Sequence, residues 1–200
     1  MKIEVNQDWS EFLCALIDRR VRFVLVGGHA VSGHGEARLT EDLDVFVEAS
    51  LANGKRLHAA LADFGFAAVA PSAAILAEPD KVFMLGHKPW RIDILTGIDG
   101  VTFAQAWASR VEAGFLKRPL FVIGRDALIK NKRAAGRPKD LVDVAMLESL
   151  TDGSDGAAST VAPRAPGAKG PSTKSRRLGR SAAAAGPPPR TRRSRSGRRR

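Results

Sequence analysis

Two apolar runs joined by a glycine turn are the clearest pattern along this chain. Residues 21–26 are nearly all apolar and run directly into Gly27 and Gly28, which predicts a buried strand that turns into a short helix over residues 30–36. Residues 42–47 largely alternate between polar and apolar positions, as a strand with one buried face does. The pattern therefore predicts a strand, a helix and a second strand in close succession.

The remaining periodicities add further helices and strands in turn. Apolar residues at helical spacing predict an opening helix, and the spacing of Asp8 and Glu11 before it is typical of a capping box. The later predicted helices cover residues 51–64, 102–109, 126–135 and 139–150, and the later predicted strands cover residues 81–85, 91–96 and 120–123. Because strands and helices alternate, the predicted class is α/β, with a mixed sheet flanked by helices.

The composition of the chain changes at about residue 150. Residues 151–200 contain 13 of the 32 basic residues but only 2 of the 21 acidic ones, so the net charge of +11 comes wholly from this segment. Its Arg, Pro, Ala, Gly and Ser residues have no apolar periodicity, and we expect a disordered basic tail. We therefore predict one folded domain, residues 1–150, followed by that tail.

The basic tail has more than one reading. An Arg-rich segment binds phosphate backbones without sequence preference, so it is a candidate for non-specific nucleic-acid contact, for example with an RNA. A solvated extension without a role, or the product of a shifted reading frame, would have the same composition. The sequence leaves these readings open.

Several other classes of protein are excluded by the composition. The single cysteine, Cys14, rules out an internal disulfide and a four-cysteine zinc site. The first residues have no apolar core of signal-peptide length, and no uncharged apolar run reaches membrane-spanning length. We expect a cytoplasmic protein that has no membrane partner.

Asp42 and Asp44 are the first candidates for chemistry. They are two residues apart on a predicted strand, so their side chains share one face. Their backbones lie roughly 6.6 Å apart, and at an effective dielectric near 20 their charges repel by roughly 2 to 3 kcal/mol. A divalent cation would reverse this repulsion, whereas solvation on an outer face would only weaken it. Both readings are compatible with the spacing alone.

Asp93 is a single carboxylate in the apolar run of residues 91–96. If this strand neighbours the strand of Asp42 and Asp44, three carboxylates converge, and bound cations make such a cluster tolerable at neutral pH. The alternative is a salt bridge between Asp93 and Arg91 or another basic group. Asp99, in the following glycine-containing loop, is the second choice for a third acid.

The glycine turn and its two histidines also have two readings. Gly27 and Gly28 let backbone amides approach an anion at the start of a helix, but an ordinary strand-to-helix turn needs the same residues. His29 and His34 have too few soft ligands nearby for a zinc site. For His34, contact with a bound ligand is the alternative, and a histidine that bonds a backbone carbonyl is the commoner case.

Taken together, these residues resemble a known family. The order of two glycines, thirteen residues and two aspartates on an apolar strand resembles the signature of the polymerase-beta-type nucleotidyltransferase superfamily. The fuller string GGHAVSGHGEARLTEDLDVFV, with His34, Gly35, Arg38 and Thr40, is similar to the small bacterial abortive-infection toxin-type (AbiEii-type) nucleotidyltransferases. Residues 128–147, LIKNKRAAGRPKDLVDVAML, extend the resemblance.

The resemblance implies a fold, a reaction and a cofactor. It implies a nucleotidyltransferase fold and the transfer of a nucleoside monophosphate from an NTP such as ATP to an acceptor hydroxyl. The acids that match the motif are Asp42, Asp44 and Asp93, which are implied to be catalytic and to hold magnesium, two ions in all. The acceptor stays open among RNA, protein and a small molecule. A role as the toxin of a toxin-antitoxin system, with an antitoxin protein as partner, is implied by the subfamily.

The implied nucleotide-binding residues are Gly27, Gly28, Arg38, Thr40, Lys132 and Arg137. Lys132 and Arg137 are chosen from a basic cluster at the junction of the last two predicted helices. Solvated helix faces have the same composition, and Asp140 and Asp143 on the next helix are candidates to pair with these cations.

A second hypothesis comes from another class of protein. The chain could be a non-catalytic nucleic-acid-binding or regulatory protein on the same fold, with structural acids and an RNA bound by its basic tail.

Overall fold

A computed structural model of the chain describes residues 3, 5–35 and 38–150. The predicted disordered tail, residues 151–200, lies outside the described residues. The helices are α1 (Gln7–Asp18), α2 (Gly27–Gly33), α3 (Leu51–Leu61), α4 (Phe103–Ala108), α5 (Arg125–Ala135) and α6 (Pro138–Ser149). The strands are β1 (Phe23–Leu25), β2 (Asp42–Val47), β3 (Val82–Leu85), β4 (Arg91–Leu95), β5 (Val111–Phe115) and β6 (Arg118–Val122).

The six strands form one mixed sheet in the order β3-β4-β2-β1-β6-β5. β2 pairs with β4 and β1 with β6 in parallel, whereas the pairs β1–β2, β3–β4 and β5–β6 are antiparallel. The predicted α/β class with a mixed sheet and flanking helices is therefore confirmed.

The alternation within β2 separates the core from the opposite face of the sheet. Leu43, Val45 and Val47 are completely buried in the hydrophobic core, while Asp42 and Asp44 point to the other face and are only partly buried. Burial of one such apolar side chain stabilises the fold by roughly 1.5 to 3 kcal/mol. This burial fixes the strand register and thereby the side to which both carboxylates point.

The opening helix is placed as expected but begins differently. Its apolar face is buried through Phe12, Leu13 and Leu16, and it packs against α3. The capping prediction at Asp8 was wrong: the N-cap is Asn6, whose side chain accepts a hydrogen bond from the Trp9 amide at 2.9 Å. Asn6 accepts from a free amide of the first turn, the task predicted for Asp8, because the helix begins two residues earlier.

Three element boundaries also differ from the prediction. α2 begins at Gly27 rather than at residue 30, so both glycines lie in its first turn. α3 ends at Leu61 and continues into a π-helical turn, Ala62–Phe66, in which Gly65 has a φ of 98°. The last predicted strand starts earlier, at Arg118, and forms a hairpin with β5, which was not predicted.

Within the part of the chain that the structure describes, no helix is both long and apolar enough to cross a membrane.

Candidate active site

The structure brings Asp42, Asp44 and Asp93 together on one face of the sheet. Asp42 and Asp44 lie on β2, and Asp93 lies on β4, which is its parallel neighbour. In the register of this pair Asp44 is opposite Asp93, and Asp42 is opposite Arg91. Residues that are paired across neighbouring strands project to the same side, so three carboxylates and one guanidinium share a small patch.

Asp44 has a strongly raised pKa. Burial, together with the charges of Asp93 and Asp42, raises its pKa to about 6. No described residue forms an ion pair or a side-chain hydrogen bond with its carboxylate. The charges of Lys132 and Lys139 oppose this rise but do not outweigh it. A largely buried carboxyl that no ion pair compensates is unfavourable for the fold, and such arrangements are typical of functional sites.

Arg91 is the counter-ion of the other two acids. Its Nε and Nη2 donate to the two carboxylate oxygens of Asp93, both at 2.8 Å. Nη2 also lies 3.1 Å from Oδ2 of Asp42. Both readings of Asp93 therefore describe part of the site, because Asp93 lies beside the other acids and is also salt-bridged to Arg91.

The glycine turn, Gly27 and Gly28, lies directly against the acids. Gly27 has a φ of 64°, a left-handed conformation that favours glycine, and a Cβ at this position would lie 1.9 Å from Oδ2 of Asp44. A Cβ on Gly28 would lie 2.8 Å from Cβ of Thr40. The absence of side chains at this turn therefore leaves room for the carboxylate of Asp44.

Thr40 and Arg38 lie on the segment that leads into β2. The Thr40 hydroxyl donates to the Asp42 carbonyl at 3.1 Å and accepts from the Asp42 amide at 3.4 Å, which fixes the start of the strand. Arg38 forms an ion pair with the fully buried Asp143 of α6. These contacts tie the strand that carries the acids to the last helix.

Lys132 lies in a buried ion-pair network rather than on an open surface. Its side chain is 6% exposed, and Nζ lies 3.1 Å from Asp140 Oδ1 and 2.6 Å from Asp143 Oδ2. Arg137 contacts the second oxygen of Asp140 at 2.5 Å. The predicted pairing of these acids and cations is confirmed, while contact of Lys132 or Arg137 with a nucleotide stays a prediction.

The pKa directions within this network follow from burial and hydrogen bonding. Burial lowers the pKa of the Lys132 ammonium, and its hydrogen bond to Asp140 opposes that effect. Burial alone would raise the pKa of Asp140, but the hydrogen bonds from Arg137 and Lys132 outweigh it and hold that pKa below its ordinary value. Asp140 is therefore ionised at neutral pH and binds both cations as a carboxylate.

All predicted catalytic and nucleotide-binding residues line a single cavity of about 600 Å³. The sheet forms its floor, and Lys132, Arg137 and Lys139 from α5, α6 and the segment between them contribute to one wall. Sequence reasoning missed Asp80 and Val82, which line the cavity from the start of β3 and the residues before it. Because their position depends on the pairing of β3 with β4, no local pattern identifies them.

The two histidines and Asp99 have other surroundings. His34 Nε2 lies 2.8 Å from the carbonyl oxygen of Ile123, so the expected contact with a backbone carbonyl is confirmed. His29 is buried with its ring edge-on to Trp9 at 5.1 Å, and burial lowers its pKa. Asp99 lines the cavity from a loop rather than from the sheet.

The carboxylates fit magnesium in part. Asp42 Oδ1 is buried and has no hydrogen-bond partner among the described residues, and Asp44 has no ion pair there. Hard oxygen donors of this kind suit magnesium. Asp93, by contrast, has both oxygens held by Arg91. Within residues 3, 5–35 and 38–150, no group of three or more His, Cys, Asp or Glu side chains is arranged to hold a metal ion.

The chain was compared with known proteins in three ways. No family model matches it. No curated protein matches it. A solution structure of the antibiotic-resistance factor ANT(2'')-Ia resembles it with a TM-score of 0.47 and 18% identity, over 72% of this chain and 83% of that chain. A crystal structure of ANT(2'')-Ia in complex with adenylyl-2''-tobramycin resembles it with a TM-score of 0.45 and 18% identity, over 71% and 87%.

These similarities are weak, and no family assignment or activity follows from them. The AbiEii-type resemblance accordingly stays a prediction that rests on the sequence motifs.

Proposed function

We propose that this protein is a magnesium-dependent nucleotidyltransferase, which moves a nucleoside monophosphate from an NTP to an acceptor hydroxyl. The proposal is supported by one observation above all, the grouping of Asp42, Asp44 and Asp93 on one face of paired strands beside Gly27. Like charges so close together repel, so the cluster has no evident benefit for stability. The motif resemblance points to the same chemistry.

Each predicted residue would have a distinct task in this reaction. Bound magnesium would neutralise phosphate charge and lower the pKa of the attacking hydroxyl. Asp42 and Asp44 would hold it through their carboxylate oxygens. Asp93 faces the same cavity and would act as a third ligand and accept the hydroxyl proton. Two magnesium ions would bind at these acids.

The wall of the cavity would receive the triphosphate. Arg137 presents a guanidinium that is 62% exposed, and it would balance the charge that develops on the leaving pyrophosphate. Gly27 and Gly28 would offer backbone amides to the phosphates. Lys132 and Arg38 add positive potential from within their ion pairs, and Thr40 would orient the strand that carries the acids.

Two finer parts of the proposal, ATP as the NTP and the role as a toxin with an antitoxin partner, rest on the sequence resemblance alone. The other finer parts rest on composition: the cytoplasmic location, the boundary between residues 1–150 as the nucleotidyltransferase-like domain and residues 151–200, and the contact of that basic tail with nucleic acid. The acceptor is an RNA, a protein or a small molecule that carries a free hydroxyl.

The test is incubation with each alpha-labelled NTP, magnesium and, in separate reactions, total cell RNA, total cell protein or a hydroxyl-rich small molecule. We expect label on one acceptor class, and we expect it to be lost in Asp42→Asn and in Asp93→Asn. Asp63→Asn is the control, because Asp63 pairs with Arg19 on an exposed surface outside the cavity. Wild-type protein that labels no acceptor with any NTP would contradict the proposal.

One observation favours the alternative of a non-catalytic nucleic-acid-binding or regulatory protein. Arg91 compensates two of the three acids, as a structural salt bridge would. Under this alternative, deletion of residues 151–200 abolishes RNA binding, and Asp42→Asn leaves it unchanged. Under the proposed function, the same deletion leaves magnesium-dependent nucleotide binding intact.

A further inference from the structure

Arg91 lies where a cation bound to the acids would lie. The guanidinium contacts both oxygens of Asp93 and Oδ2 of Asp42, so it uses three of the four oxygens of these two acids. The fourth oxygen, Asp42 Oδ1, has no partner among the described residues. Asp44, opposite Asp93 on β2, adds a further carboxylate without an ion pair.

The charges of this patch are not balanced. A guanidinium carries one positive charge at any physiological pH. Three ionised carboxylates would leave the patch with a net charge of about −2 by this count, which a divalent cation could neutralise. The oxygens that such an ion would need from Asp93 are, however, the same ones to which Arg91 donates. Arg91 and a metal that binds Asp93 therefore compete for these oxygens, because two cations held at one carboxylate repel each other.

We propose that Arg91 is a positioning residue of the metal site: it holds Asp93 and Asp42 in place in the metal-free protein and is exchanged for a divalent cation when that cation binds. This exchange rests on the proposed function in taking the acids as metal ligands. The side chain of Arg91 is 27% exposed, so it has a route to solvent once its two ion pairs break. Metal entry and Arg91 release are then one coupled event.

The coupling has an unusual consequence for substitution. Loss of Arg91 removes the competitor for Asp93 and Asp42, so the affinity for a divalent cation rises. The same loss leaves three repelling carboxylates, so the metal-free protein becomes less stable. A purely structural salt bridge would change stability without raising metal affinity.

The experiment uses Mn²⁺ alone, without nucleotide or acceptor. Free Mn²⁺ is followed by electron paramagnetic resonance while wild-type protein, Arg91→Lys and Arg91→Gln are titrated. We expect Arg91→Gln to bind Mn²⁺ about fivefold more tightly than wild type, which corresponds to the roughly 1 kcal/mol of a partly exposed ion pair. Arg91→Lys keeps one charge but cannot bridge both oxygens of Asp93, so its affinity should lie between the two.

Thermal unfolding of the same proteins provides a second measurement. Arg91→Gln should unfold at a lower temperature than wild type without metal, and saturating Mn²⁺ should raise its unfolding temperature by more than it raises that of wild type. Arg22→Gln is the matched control, because Arg22 is also in a partly buried pair, with Glu48, but is not among the residues that line the acid cavity. Its Mn²⁺ affinity should equal that of wild type.

The outcomes separate the exchange from nucleotidyl transfer. Equal or weaker Mn²⁺ binding by Arg91→Gln and Arg91→Lys, with transfer by the wild type intact, would overturn the role of Arg91 alone. If Arg91→Gln does not fold, the test depends on Arg91→Lys: tighter Mn²⁺ binding than wild type supports the exchange, and equal or weaker binding overturns it. Failure of the wild type to bind Mn²⁺ at all would overturn both the exchange and the proposed function.

Discussion

The change Asp44→Asn should stabilise the metal-free protein and should abolish the proposed nucleotidyl transfer. In the folded protein, burial and the nearby charges of Asp93 and Asp42 raise the pKa of Asp44 from 3.8 to about 6. Ionisation of this carboxyl is therefore harder in the folded protein than in the unfolded chain. Asparagine has nearly the same shape and no charge, so it removes this cost.

The size of the effect follows from the pKa difference. A shift of about two units corresponds to at most about 3 kcal/mol at 1.36 kcal/mol per unit. The sign follows from proton binding: between about pH 4 and about pH 6 the folded protein holds a proton on Asp44 that the unfolded chain has lost, so the stability of wild type falls as the pH rises. Above about pH 6 the full cost is present. The advantage of Asp44→Asn should therefore be near zero at about pH 4 and largest at about pH 8.

The assay is urea unfolding of both proteins across this pH range in the presence of a chelator. Magnesium added at neutral pH should stabilise the wild type more than Asp44→Asn, so the difference between their free energies of unfolding should become smaller. Asp63→Asn is an instructive control, because the hydrogen bond from Arg19 lowers the pKa of Asp63 and its substitution should have the opposite sign. An Asp44→Asn protein that is no more stable than wild type at about pH 8, or a gap that does not depend on pH, would refute the reasoning.

Two further substitutions test the surroundings of the acids. Lys132→Met should lower the free energy of unfolding by about 3 kcal/mol near neutral pH, because Asp140 and Asp143 would lose a buried cation. Denaturant titration measures this loss, which should become smaller at a pH low enough to protonate Asp140. Gly27→Ala should abolish labelling of the acceptor and destabilise the protein by about 1 to 2 kcal/mol, because its φ of 64° is strained for alanine and its Cβ would displace the Asp44 carboxylate.

Each of these substitutions has a matched control. Gly65→Ala combines a φ of 98° with no atom within 4 Å of the new Cβ, so it should cost stability but leave labelling unchanged. If Gly27→Ala transfers as much label to the acceptor as Gly65→Ala does, the turn at Gly27 does not determine the position of Asp44. For Lys132→Met the control is Lys55→Met on the exposed side of α3, and equal stability of the two variants would contradict a buried network.

The part of the site that depends on local sequence was predictable. Asp42 and Asp44 share a face because side chains alternate along any strand, and the core residues between them determine which face it is. The position of Asp93 depended on which strand neighbours β2, and sequence spacing does not contain that information. The motif resemblance supplied it, and the pairing of Asp44 with Asp93 agrees with that expectation.

Two features escaped prediction for physical reasons. The hairpin of β5 and β6 turns at Leu116 and Lys117, which both have positive φ values, 46° and 59°. Two-residue hairpin turns of this kind usually carry Asn, Asp or Gly, so their usual signal is missing here. The ion pair of Arg38 with Asp143 joins distant segments, and charge patterns along the chain do not reveal such partners.

The parallel pairing of β2 with β4 limits how this protein can change in length during evolution. One residue inserted into β4 before Asp93 would turn its carboxylate toward the interior, where Ile92 and Ile94 now pack, and would aim an aliphatic side chain at Asp44. A longer or shorter connection between β3 and β4 would leave that alternation intact. Divergent descendants of this chain should therefore gain and lose residues in that connection, while the number of residues in β4 should stay the same.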